Sequence, residues 1–161
     1  MRKSSKGFSL IELLIVVAII LIIAAIAIPN LLRSRIAANQ ASAVGSLRTL
    51  NTAEITYSST YNVGFTYTMA YLQPPTTAGA NPTSTAAGLI DSVLAGGAKS
   101  GYSFTYSPGA SDSTGRINVY QFIAVPISSS TGTNYYFTDQ SGVIRQNSTT
   151  TAASTDSPIA G

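Results

Sequence analysis

Glu12 is the residue whose placement most needs a chemical reason, because it stands inside an otherwise apolar run. From Phe8 to Ile28 the chain reads FSLIELLIVVAIILIIAAIAI, broken only by Ser9 and Glu12. An ionised side chain at the centre of a membrane helix costs roughly 2.5–3.5 kcal/mol on insertion scales, so something must compensate this carboxylate. Ser9-Leu10-Ile11-Glu12 fits the S-x-x-E capping box, in which Ser caps the third amide of a helix and Glu reaches back to the amide of the cap. An acid in the first turn also meets the positive end of the helix dipole. The second compensation is covalent. A cut between Gly7 and Phe8 creates an amine within one turn of Glu12, or beside the Glu12 of a neighbouring chain, and sets a cation against a buried anion.

Other chemistry is scarce. With neither Cys nor His, the chain lacks thiolate nucleophiles, disulfides and the commonest zinc, haem and iron-sulfur ligands. Beyond Glu12 the acids Glu54, Asp91, Asp112, Asp139 and Asp156 are scattered singly, with no close pair for general acid and base work. A serine nucleophile would need a lysine as its base, and Lys99 is the only one beyond the first seven residues. These absences argue against an enzyme. Calcium takes oxygen ligands, and the oxygen-rich stretches Asp112-Ser113-Thr114-Gly115 and Asp139-Gln140-Ser141-Gly142 are the two candidates for it; the same residue types also spell Asx-type turns. No other cofactor is expected.

Length and charge bound the rest. A chain of 161 residues holds one domain with an appendage. Only 9% of residues are charged, against the usual quarter or so, so the surface must be polar but mostly uncharged. The net charge of +3 comes from Arg2, Lys3 and Lys6, since the remaining six bases are balanced by six acids. The basicity is local, and no nucleic-acid partner is expected. At 1.5 Å per residue, a helix over 8–28 spans about 30 Å, the thickness of a bilayer core. The basic heptapeptide before it holds the N-terminus in the cytoplasm and leaves everything after Pro29 outside. Ala25-Ile26-Ala27 satisfies the small-x-small rule of an ordinary secretory signal, but the run exceeds the apolar core of such signals and contains an acid.

Lys6-Gly7-Phe8-Ser9-Leu10-Ile11-Glu12, followed by the apolar stretch and Pro29-Asn30-Leu31, resembles the class III signal of type IV pilins and of the related pseudopilins of type II secretion. The resemblance extends in pattern to about residue 60. It implies that a prepilin peptidase cuts after Gly7 and methylates the new N-terminal Phe8. It also implies that Glu12 neutralises the amine of an adjacent subunit during fibre assembly, and that the helix packs against other helices in a homo-oligomeric filament. The implied partners are prepilin peptidase, the inner-membrane assembly machinery and membrane lipid before assembly. The implied fold is α+β and pilin-like: one long N-terminal helix, its first half membrane-spanning, packed on a small antiparallel sheet of three or four strands.

The elements agree with that arrangement. The expected order is a leader at 1–7, an assembly helix at 8–28, its amphipathic half at 29–62, a head at 63–146 and a Ser/Thr-rich flexible tail at 147–161. In the amphipathic half, apolar residues recur at helical spacing through Ile36, Ala43, Leu47, Leu50, Tyr57 and Tyr61, with Arg33, Arg35, Arg48 and Glu54 assigned to the opposite face. Pro29 removes one backbone hydrogen bond and is expected to kink or loosen the helix; Gly64 closes it. A short helix is expected over 85–95, stopped by Gly96-Gly97, and from 101 to 146 the period switches to two. Gly142 suits a hairpin turn at positive φ. With about 80 residues, the head is marginal as an independent core and should depend on the helix.

Three functional readings follow from the sequence: a subunit of a type IV pilus-like filament, a major pseudopilin of a type II secretion system, and a single-pass anchored periplasmic binding domain that never polymerises.

Overall fold

A computed structural model describes residues 7–159. The order is a helix α1 (Leu10–Tyr61), a short 3-10 helix (Met69–Leu72), a one-turn helix α2 (Ser92–Ala95) and five strands: β1 (Ala98–Lys99), β2 (Tyr102–Pro108), β3 (Tyr120–Pro126), β4 (Tyr135–Asp139) and β5 (Arg145–Asn147). The leader residues 1–6 lie outside the described part. The chain divides into two compact units after Arg35.

The first unit is the apolar stretch of α1. Its large side chains from Phe8 to Leu32 are exposed, and by length and composition the helix is apolar enough to cross a membrane. Helical assignment runs unbroken across Pro29.

The second unit begins at Ile36 and is an α+β arrangement. The sheet is an antiparallel meander in the order β1-β2-β3-β4-β5. One sheet face carries Tyr102, Phe104, Tyr120, Phe122, Ala124 and Tyr136, which pack with Ala43, Leu47, Leu50, Ala53 and Tyr57 of α1 into one core. The alternation read from the sequence places these residues, since successive strand side chains point to opposite faces. Ring pairs tighten the layer: Tyr120 meets Phe122 edge-on at 5.5 Å, and Phe65, just after the helix, meets Tyr120 at 4.6 Å. The helix thus supplies one wall of the core that the sheet closes.

Several expectations are corrected. The sheet has five strands rather than three or four, because the two residues of β1 pair with Ser103 and Tyr102 beyond Gly101. The helix expected over 85–95 shrinks to Ser92–Ala95, since Gly88 takes φ +67° and residues 87–90 hydrogen-bond instead to Tyr71, Leu72 and Gln73 around the 3-10 helix. Asp91 caps α2 by accepting from the Leu94 amide at 2.8 Å. The long helix stops after Tyr61, because Asn62 takes the left-handed conformation at φ +52°, ahead of Gly64. Gly64 has another role: a Cβ there would lie 2.5 Å from the carbonyl oxygen of Ile117, so glycine is what lets the two backbones meet. Gly142 does take a positive φ, +74°.

The tail expected to be flexible is hydrogen-bonded to the sheet through residue 159. Gln146 N–H donates to Ser157 and Ile159 N–H to Ile144, adding a short antiparallel edge beside β5. The Asp156 carboxylate accepts from the Asn147 side-chain amide at 3.0 Å and from the Ala153 N–H at 2.7 Å. Low sequence complexity concealed this because backbone hydrogen bonds and one carboxylate hold the segment, with no apolar pattern of its own.

Candidate functional site

Gly7, Phe8 and Ser9 precede α1 without regular secondary structure, and the Phe8 side chain is 82% exposed. A Cβ built on Gly7 would meet nothing within 4 Å. Among the described residues, Gly7 and Phe8 are thus both exposed. One step further the capping box forms: Ser9 N–H donates to Glu12 Oε2 at 2.9 Å, and Ser9 Oγ accepts from Ile11 N–H at 3.3 Å. The amide capped is the second of the helix rather than the third. Ser9 also starts the ladder, its carbonyl accepting from Leu13 at 3.2 Å. Glu12 is therefore held at the helix N-terminus, turned back onto the Ser9 amide. Glu12 Oε1 takes no hydrogen bond among the described residues.

A second carboxylate, Glu54, lies on the opposite face from the one its sequence pattern suggests. Glu54 is fully buried, not on the polar side of the helix. It accepts from the Thr66 N–H at 3.0 Å through Oε2 and from the Thr66 hydroxyl at 2.6 Å through Oε1, while the Tyr106 hydroxyl donates to the Thr66 carbonyl at 2.5 Å. Its spacing, four from Leu50 and three from Tyr57, is the signal that could have placed it. Burial pushes the Glu54 pKa up, against the opposing pull of the two Thr66 donors. The phenols of Tyr57, Tyr106 and Tyr120 are also pushed up, first by burial and then by the Glu54 charge. The one ion pair among the described residues is Lys99–Asp91, so no cation neutralises Glu54. Beside it, Asn51 bridges helix to sheet, donating to the Thr138 hydroxyl at 2.8 Å and accepting from Tyr120 at 3.1 Å.

The sign of the resulting pH dependence is definite. A folded-state pKa above the ordinary 4.5 means that folding favours the protonated acid. The stabilisation is then complete below that ordinary value and is lost as pH climbs from there through the raised one. Glu54→Gln keeps an acceptor for the Thr66 amide without the charge. Its Tm is expected to exceed that of the parent at pH 7, with the gap closing as pH falls toward 4; an equal or lower Tm at pH 7 would count against a charge burdened by burial.

The two oxygen-rich turns are internally satisfied. Asp112 accepts from Thr114 N–H and Oγ1, from Arg116 N–H and from the Asn118 amide, which hold its carboxyl well below the usual range. Asp139 accepts from Ser141 N–H and Oγ. Among the described residues no three His, Cys, Asp or Glu gather as metal ligands.

Comparison with known proteins agrees with the geometry at the N-terminus. Residues 2–28 match the family described as the prokaryotic N-terminal methylation motif. The chain is 49% identical over 55 residues to the type IV major pilin protein PilA of Myxococcus xanthus, covering 34% of this chain and 25% of that one. It is 65% identical over 37 residues to the type IV wide pilus major component PilA4 of Thermus thermophilus, covering 23% of this chain and 28% of that one. The aligned part thus spans about a quarter of each curated relative. No solved structure gives a significant match. The chain carries an N-terminal methylation motif on an apolar helix, in an α+β, pilin-like arrangement.

Proposed function

We propose that this chain is a structural, non-enzymatic subunit of a type IV pilus-like filament. It would be made as an inner-membrane precursor with a cytoplasmic N-terminus and an external head, cut after Gly7 by a prepilin peptidase, methylated on Phe8 and polymerised through α1. The observation that carries this reading is Glu12, capped in the first turn of an exposed apolar helix four residues after Phe8, within the matched motif. The pilus components among its relatives support the same reading.

The physical course is simple. Alone, the apolar half of α1 needs lipid; in a polymer, neighbouring helices replace the lipid and each carboxylate must find a positive partner. Cleavage supplies that partner as a new amine. Mass spectrometry of the mature N-terminus tests the proposal: an N-methylated Phe8 is expected, whereas an intact Met1 or a start after Ala27 would refute it. Recovery of the subunit in sheared surface filaments is the expected destination, and its confinement to the periplasm would point to a secretion pseudopilus instead.

A further inference from the structure

The stretch between Glu12 and Glu54 contains no acid, yet it carries Arg33 and Arg35 just beyond the apolar run, both exposed. At 1.5 Å per residue their Cα atoms lie about 8 and 11 Å past Ile28 along the axis, while the polar layer on each side of a bilayer is about 5–8 Å thick. Helical Cα–Cβ bonds tilt toward the N-terminus, which for this helix is back toward the hydrocarbon. A long arginine stem therefore returns its guanidinium to the level of the lipid phosphates. Two residues apart at 3.6 per turn, the two side chains leave the helix on nearly opposite sides, so each addresses a different lipid. Leu31 and Leu32, beside them, are exposed and apolar. Neither guanidinium has an ion-pair partner among the described residues.

We propose that Arg33 and Arg35 bind the phosphate groups of anionic phospholipids in the leaflet far from the N-terminus, fixing the depth of the unassembled subunit. This rests on the membrane-resident reading above. The occupant is set by charge complementarity and by level: a planar guanidinium pairs bidentately with phosphate, and phosphodiester groups are the anions present at that height. The three leader cations would attract the same lipids on the other side, so they must be silenced in any test.

The test uses the full chain with Arg2, Lys3 and Lys6 changed to Gln, reconstituted in nanodiscs of equal parts phosphatidylcholine and phosphatidylglycerol. Native mass spectrometry then reads the lipids retained. Phosphatidylglycerol is expected to be enriched, with the enrichment falling about fivefold for each of Arg33→Gln and Arg35→Gln, and recovered only in part by the Arg33→Lys/Arg35→Lys pair, which restores the charge without the bidentate fork. No enrichment, enrichment untouched by the double Gln change, or displacement of the lipid by inorganic phosphate would each overturn the proposal, the last by revealing a soluble-anion site. Insertion without enrichment defeats only this inference; failure to insert defeats the membrane-resident reading as well.

Discussion

Glu12→Val is expected to abolish incorporation into filaments while leaving the head folded. In a packed bundle of apolar helices, the processed Phe8 amine would be a buried cation, and removing its partner costs about 3–5 kcal/mol. At 1.4 kcal/mol per tenfold, that is about two to four orders of magnitude in each subunit's affinity for the growing end. The head should not notice, because its core draws on α1 only from Ala43 onward. The capping role is separable. Glu12→Gln retains a side chain able to accept from the Ser9 amide, as capping boxes allow, but removes the charge. If shearing recovers normal filaments from the Gln variant, Glu12 serves its own helix end alone; if both variants fail to polymerise while circular dichroism shows unchanged helix, the charge is what assembly uses.

Phe122→Ala should have the largest effect on stability, about 3–5 kcal/mol for an aromatic deleted from a packed core. Phe122 is fully buried and lies opposite Tyr106 on β2 and Thr138 on β4. Its ring is 4.8 Å from Tyr106 and 5.5 Å from Tyr120. The cavity left would open in the layer shared with Leu47 and Leu50 of α1, whose backbones are held by helix and ladder and can close it only in part. Thermal unfolding of a chain beginning at Ile36, which contains every core residue, is expected to show Tm lowered by more than about 10 °C. A shift of one or two degrees would mean that this core is loosely packed.

Elements with strong periodicity were legible. The period of two over 101–146 placed the region of β2 and β3 without their ends, and helical spacing through Ala43, Leu47, Leu50 and Tyr57 located the buried stripe of α1. Weak local patterns misled. Residues 85–90 have helical composition, but Gly88 and backbone bonding to the 3-10 helix hold them otherwise. The tail is composed like a disordered segment, yet Asp156 and the edge of β5 hold it.

At the N-terminus the sequence alone determined the Ser9–Glu12 cap and the apolar run, because both are local: the cap depends on residues within a few positions of one another, and the run on the count of a single helix. The surroundings of Glu54, the bridge from Asn51 to Thr138 and Tyr120, and the clasp on the tail were settled only by tertiary structure. They join residues 12, 87, 69 and 9 positions apart. Whether a polar side chain is solvated or buried with partners depends on which distant donors the completed fold delivers to it.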